Sequence, residues 1–288
     1  MFKLQIKYLS FFFGIVSILS FFNILYSYYF NLYLNLNTYY FTLIASFILF
    51  ITFFKFGKYD VKSNIFQRIL TIFLGYLLIP LVLSIPFYFS IYNLTFSNSF
   101  FEAISGFTST GFTVFENIKL IDQSLIIWRS STQWIGGLYF LFSIIYLIDI
   151  YDDSFKKTLT NFLSFNSSEI LKQATKIFIL YSSLTVLIFG VLNIFSIRTF
   201  DSLNLALTII SSGGFLPVND LSMIIKENTQ IIIFSVMMLF SFFSLFFSYN
   251  LIFLRKKNVN FFYEDLHLFV YLGVVVTTFF LFFSFNYD

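Results

Sequence analysis

Cysteine is absent from this chain of 288 residues, histidine occurs once, and charged side chains make up only 11% of it. Without a thiol there is no disulfide, no thiolate metal site and no cysteine nucleophile. The one histidine, His267, stands beside Glu264 and Asp265 at the margin of an apolar run, where a solvated loop is expected rather than a metal site. No Asp, Glu, Lys, Arg or His falls near the centre of any apolar run. Proton relays and charge-pairing carriers use such a group at depth, and a membrane-embedded hydrolase needs carboxylates, a serine–base pair or metal ligands there. The enzyme reading is therefore poor. The net charge is +3 and the basic residues lie in short clusters between apolar runs, so no nucleic-acid partner is expected.

What is present is hydrocarbon. Hydrophobic residues make up 58% of the chain, the mean hydropathy is +0.86, and several stretches exceed the roughly 18–20 apolar residues that cross a bilayer. This predicts an all-α, polytopic, multi-pass membrane protein with lipid as its first partner. About seven spans are expected, at Leu9–Phe30, Tyr39–Phe54, Ile69–Tyr92, Ser124–Ile148, Ile177–Ile197, Thr229–Leu254 and Leu266–Phe285. The first lacks a small-residue cleavage site and reads as a retained helix. Two further segments, Ser99–Phe107 and Ser202–Ile210, are too short to cross and read as re-entrant half-helices.

Lys and Arg orient this arrangement. With the N-terminus in the cytoplasm and both half-helices returning to the side they came from, Lys3, Lys7, Lys55, Lys58, Lys62, Arg68, Lys156, Lys157, Lys172, Lys176, Arg255, Lys256 and Lys257 are cytoplasmic. Only Lys119, Arg129, Arg198 and Lys226 lie outside. Counting either half-helix as a true span would invert everything downstream and destroy that bias.

The half-helices are followed by the two polar pauses of the chain. Gly106-Phe107-Thr108-Ser109-Thr110-Gly111-Phe112 cannot span lipid alone, because its peptide groups would lack partners in hydrocarbon. Residue types alone fit an ordinary polar loop as well as a cation filter of exposed backbone carbonyls. Self-similarity favours the filter. Glu102–Phe112 aligns without gaps on Leu205–Phe215, an offset of 103 residues that pairs Ala103 with Ala206, Ser105 with Thr208, Ser109 with Ser212, Gly111 with Gly214 and Phe112 with Phe215. Each copy sits between an outward and an inward span, so the repeats are parallel, as in a pore, rather than inverted, as in many carriers. Ser99 and Glu102 are predicted to form a capping box at the first half-helix, and Asp201 to cap the second. The carbonyl end of each half-helix, with its partial negative charge, then faces the membrane interior and favours a cation.

At these residues the chain resembles the Trk/Ktr/HKT superfamily of potassium transporters, most closely its TrkH-type membrane subunits. The resemblance is carried by Phe101–Thr113, Trp128-Arg129, Gln133-Trp134-Ile135-Gly136-Gly137 and Ser211–Phe215, and by the stretch Phe261–Asp265. It implies helix–pore loop–helix repeats around one pore, each giving a filter strand whose carbonyls replace the hydration shell of potassium, the transported substrate. By position the strands are Thr108, Ser109, Thr110 and Gly111, then Ser211, Ser212, Gly213 and Gly214, with the hydroxyls of Thr108 and Ser211 as further ligands. The resemblance also implies subunit pairing and a cytosolic nucleotide-binding regulatory partner. No covalently bound cofactor is expected. Residues 1–60 are read as two leading helices, 61–155 and 156–258 as two complete repeats, and 259–288 as the first helix of a third. The family's third and fourth filter strands have no counterpart in this sequence, so the chain is expected to be an N-terminal half, truncated or split. The family's Gly-Gly-x-Gly reads Gly136-Gly137-Leu138-Tyr139 here.

The expected function is potassium uptake across the cytoplasmic (inner) membrane of a bacterium, as half of a channel-like pore completed by a second copy or a complementary membrane half. The alternatives are a non-conducting regulatory membrane subunit and, more distantly, a small-solute carrier. Arg129 is expected to be an interfacial anchor, snorkelling or paired with Glu116 or Asp122. Trp128 and Trp134 are read as belt or packing residues, Gly136-Gly137 as a close-approach site, and Asn23 as a helix–helix hydrogen bond.

Overall fold

The computed structural model describes residues 7–57, 65–148 and 170–242, with 270, 273–274 and 277–278. The chain divides into two units, Met1–Ser248 and Tyr249–Asp288. In the second, Val270, Gly273, Val274, Thr277 and Thr278 are helical, and the Thr277 hydroxyl donates to the Gly273 carbonyl at 2.8 Å. The remainder of the seventh expected span lies outside the described residues, as do Phe261–Asp265 and His267.

The described part of the first unit is helical, with no strand among its residues. Helix α1 covers Lys7–Tyr29 and α2 covers Leu36–Phe56. The second expected span is thus longer than its apolar run, because the polar flank Asn37-Thr38 continues the helix. Next come α3, Ile65–Leu83, α4, Ile85–Tyr88, and the half-helix α5, Phe96–Phe107. A 3₁₀ turn at Ile118–Leu120 leads into α6, Gln123–Ile148. The order then repeats with α7, Ile170–Ile194, the half-helix α8, Thr199–Ile210, a 3₁₀ turn at Leu221–Met223, and α9, described over Asn228–Phe242.

Four described helices are long and apolar enough to cross a membrane: Lys7–Tyr29, Leu36–Phe56, Phe66–Tyr88 and Ala174–Ile194. Helix α6 has the length, at 26 residues, but too many polar ones. Ser130, Ser131, Thr132 and Gln133 are all buried between other helices, so they meet protein rather than lipid. Helix α1 packs against α2, α3 and α6, whereas α2 turns Phe41, Ile44, Phe47, Ile48, Ile51 and Phe54 outward. An apolar face of that size suits hydrocarbon and not water.

The third expected span runs as one apolar helical segment over Phe66–Tyr88, with a single turn residue, Ser84, between α3 and α4. Pro86 follows Ser84 and Ile85 and lacks the N–H that would continue the ladder. The Leu83 carbonyl, beside this turn, accepts from the Trp128 indole at 3.0 Å. Trp128 is therefore a buried packing residue. Helix ends use a left-handed residue where glycine is more usual: Asn31 after α1 has φ 57° and Ser196 after α7 has φ 62°.

Tyr139, the large residue where the family pattern has glycine, is accommodated by a glycine elsewhere. Its hydroxyl lies where a side chain on Gly75 of α3 would begin, and donates to the Ile72 carbonyl at 3.0 Å. Its ring meets Phe12 at 4.7 Å, Tyr76 at 5.0 Å and Phe107 at 5.3 Å. A large residue on α6 thus faces a small one on α3. Gly75→Val is expected to cost about 1–3 kcal/mol by overpacking. In thermal unfolding of the detergent-solubilised chain, combining it with Tyr139→Gly should cost less than the sum of the two single changes; strict additivity would show that the residues do not share the space.

Candidate ion-conduction site

Both half-helices begin three residues earlier than the sequence suggested, and they match each other residue for residue: 96–107 and 199–210 are twelve residues each, offset by 103. The predicted caps are displaced accordingly. At α5 the cap is Thr95, whose hydroxyl accepts from the Asn98 N–H at 3.3 Å. The Ser99 hydroxyl donates back to the Thr95 carbonyl at 3.0 Å, and Glu102 lies buried further along the helix, so there is no Ser99–Glu102 capping box. At α8 the cap position is Arg198. Asp201 stands inside the first turn, 3.5 Å from the Arg198 Nε, where its negative charge suits the helix N-terminus.

The loops after the half-helices are built alike. The Ser109 N–H donates to Gly106 and the Thr110 N–H to Ser105, both at 2.9 Å; Ser212 donates to Ile209 and Gly213 to Thr208, again both at 2.9 Å. This pair of bonds is the Schellman ending of a helix, which requires a left-handed residue just past the cap. Ser109 and Ser212 both have φ 53°, against a cost of about 1–2 kcal/mol for a side chain in that region. Two residues on, Gly111 has φ 81° and Gly214 φ 78°, torsions that a residue with a Cβ resists. Each strand therefore turns twice through left-handed backbone.

The turns leave peptide oxygens without internal partners. Among the described hydrogen bonds, none is accepted by the carbonyls of Thr108, Ser109, Thr110, Gly111, Ser211, Ser212 or Gly214. Thr108, Thr110, Ser212 and Gly214 are exposed. The hydroxyls proposed as extra ligands send their protons back into the helix ends: Thr108 to Ile104 at 2.7 Å and Ser211 to Thr208 at 3.0 Å. Their oxygens keep lone pairs. The Thr108 and Thr110 hydroxyls also lie 2.7 Å apart. The strands approach one another at Gly111, where a Cβ would stand 2.6 Å from the Gly213 carbonyl oxygen.

Helix α6 holds both loops. Arg129 is 1% exposed and its Nε meets the Glu102 carboxylate at 2.8 Å, so it is neither a snorkelling anchor nor the partner of Glu116 or Asp122. The same carboxylate accepts from the Thr113 hydroxyl at 3.0 Å and the Val114 N–H at 2.9 Å. Arg129 further donates to the Thr113 hydroxyl at 3.0 Å and, across the repeats, to the Leu216 carbonyl at 3.4 Å. Its guanidinium lies 4.4 Å from the centre of the Phe215 ring, a cation–π contact within the usual range. One helical turn on, the Gln133 amide donates to the Gly213 carbonyl and accepts from the Phe215 N–H at 3.1 Å.

The remaining residues of the motif serve packing. The Ser130 hydroxyl donates to Asn204 of α8 at 2.7 Å, and the Trp134 indole to Thr185 of α7 at 2.9 Å. A Cβ on Gly136 would strike the Phe107 carbonyl, and one on Gly137 would lie 2.5 Å from the Tyr181 hydroxyl and 2.9 Å from Ser211. Asn23 donates to the Ser124 carbonyl at 3.0 Å, a helix–helix bond as expected. Further along the chain, the Ile118 N–H donates to Asn219 at 2.8 Å, joining the two segments that follow the strands. Among the described residues no three His, Asp or Glu side chains converge as a metal site.

Sequence reasoning gave Glu102 only a capping role and Arg129 the wrong partner. The available signal was one acid and one base, each the lone charge of its helix; 27 residues separate them, with no helical register to link them.

These features define a helical membrane protein in which two half-helices end in matching loops that meet at Gly111. No family model matches the chain. An uncharacterized cation transporter of Methanocaldococcus jannaschii is 27% identical over 175 residues, 57% of this chain and 35% of that protein. The Trk system potassium uptake protein TrkH is 26% identical in Escherichia coli, over 55% of this chain and 34% of that protein. In Halomonas elongata it is 24% identical, over 67% and 42%. The crystal structure of the potassium transporter TrkH from Vibrio parahaemolyticus matches with a TM-score of 0.69 at 18% identity, covering 86% of this chain and 51% of that one. The chain thus resembles Trk-type potassium transporters and has the all-α membrane fold of TrkH. It spans less than half the length of these curated relatives.

Removing one partner of a buried ion pair strands the other, at about 3–5 kcal/mol. Arg129→Ala and Glu102→Ala are each expected to lower stability by that order in thermal unfolding, and the double variant by clearly less than the sum. Additive losses would mean that the pair does not hold the loops as one unit.

Proposed function

We propose that the chain is a pore-forming part of a potassium uptake system, in which strands 108–111 and 211–214 pass potassium down its electrochemical gradient between backbone oxygens. The observation that carries this reading is the pair of matching left-handed turns, offset by 103 residues, which meet at Gly111 and whose carbonyls, that of Gly213 excepted, accept none of the described hydrogen bonds. Such oxygens can replace an ion's water at little cost, because they are already held in place. The names of the Trk relatives agree with potassium as the substrate.

In this reading residues 1–60 form two leading helices, 61–155 and 156–258 two parallel helix–pore loop–helix repeats, and 259–288 the opening of a third. The N-terminus is cytoplasmic and the half-helices enter from outside a bacterial inner membrane. Potassium binds at the filter residues alone and no cofactor takes part. A filter of four strands needs two more, from a complementary membrane half or a second copy, and a cytosolic nucleotide-binding subunit regulates the assembly.

The test is potassium-limited growth and rubidium uptake in a strain lacking its own uptake systems, with and without Gly111→Ala. That methyl group meets both a left-handed torsion and the Gly213 carbonyl, so uptake is expected to fall at least about tenfold, the equivalent of 1.4 kcal/mol. Equal uptake by both forms removes the filter assignment. No uptake by either form, with a complementary membrane half co-expressed, favours a non-conducting membrane subunit.

A further inference from the structure

The two strands differ at one oxygen. At the third position of the first strand the Thr110 carbonyl accepts no described hydrogen bond. At the same position of the second, the Gly213 carbonyl is taken by the Gln133 amide and lies against Gly111. Gln133 is fully buried, and its two ends are used by one acceptor and one donor, so a single orientation of the amide satisfies both. Gly213 is itself required here, since a Cβ on it would enter the Gln133 amide. At the repeat offset of 103 the place of Gln133 on α6 is taken on α9 by Val236, an exposed apolar side chain with no polar group to give.

We infer that Gln133 is a positioning residue for ion discrimination: it withdraws the Gly213 oxygen from the ion path and clamps the second strand through Phe215, leaving an asymmetric ligand set. The inference rests on the filter reading and reassigns Gly213 within it, from ligand to anchor. Selectivity among monovalent cations depends on how many carbonyl dipoles face the ion and how freely they move. Releasing Gly213 adds a mobile dipole opposite Thr110 and loosens the strand that carries Ser211, Ser212 and Gly214. A site so loosened shrinks more readily onto sodium.

The experiment uses the purified full-length chain and reads apparent affinities for potassium and sodium from the concentration dependence of its melting temperature, with choline holding the ionic strength constant. Gln133→Glu keeps the side-chain volume and the acceptor for Phe215 but, when ionised, cannot donate to Gly213; Gln133→Met removes both bonds. Both variants are expected to lower the potassium-to-sodium affinity ratio about fivefold or more, the scale of one lost buried hydrogen bond. An unchanged ratio overturns the inference, even if melting in choline falls, because that pattern marks a merely structural role. If the wild-type chain shows no cation-dependent shift, the filter reading fails and this inference fails with it. If the wild type responds to cations and the variants keep its ratio, only the role of Gln133 is lost.

Discussion

A peptide carbonyl inside a bilayer must have a partner, and the loops after the two half-helices are where carbonyls without one gather among the described residues. Helices α1, α2, α3 and α7 satisfy their backbone internally, as spanning helices do. The carbonyls of Thr108, Ser109, Thr110, Gly111, Ser211, Ser212 and Gly214 accept none of the described hydrogen bonds, so these loops depend on the protein packed around them. The rest of the described fold follows from that requirement. Helix α1 packs against α3 and α6, α6 hydrogen-bonds to both loops, and each half-helix ends in a left-handed turn.

The polar character of α6 is what makes the exception tolerable. Glu102 and Arg129 are both buried, a combination whose desolvation cost is large unless every lone pair and N–H is used. Here the carboxylate receives Arg129, Thr113 and the Val114 N–H, and the guanidinium also reaches Thr113, Leu216 and the face of Phe215. The pair thereby joins the segment following the first strand to the segment following the second. An apolar replacement could be as stable, but it would hold neither segment in register.

Much of the fold was legible because its signals are local. Apolar run length located the spans, and the recurrence of Ala, Ser/Thr, Ser, Gly and Phe at one offset located the loops. Boundaries slipped where polar residues continue a helix. Phe96–Asn98 read as loop because Ser99 and Glu102 offered a more conspicuous cap than Thr95. What no local signal carries is contact across repeats: the Gln133 amide meets a backbone 80 residues away. Its motif drew attention to the right place without saying that the glutamine grips the neighbouring repeat's loop.

Tyr139 and Gly75 form a knob and its socket: the phenol of α6 ends where any side chain at position 75 of α3 would begin. Neither helix can therefore be exchanged alone. A foreign α6 with a small residue in place of Tyr139 leaves a hole, a foreign α3 with a side chain in place of Gly75 makes a collision, and only the two together restore the fit.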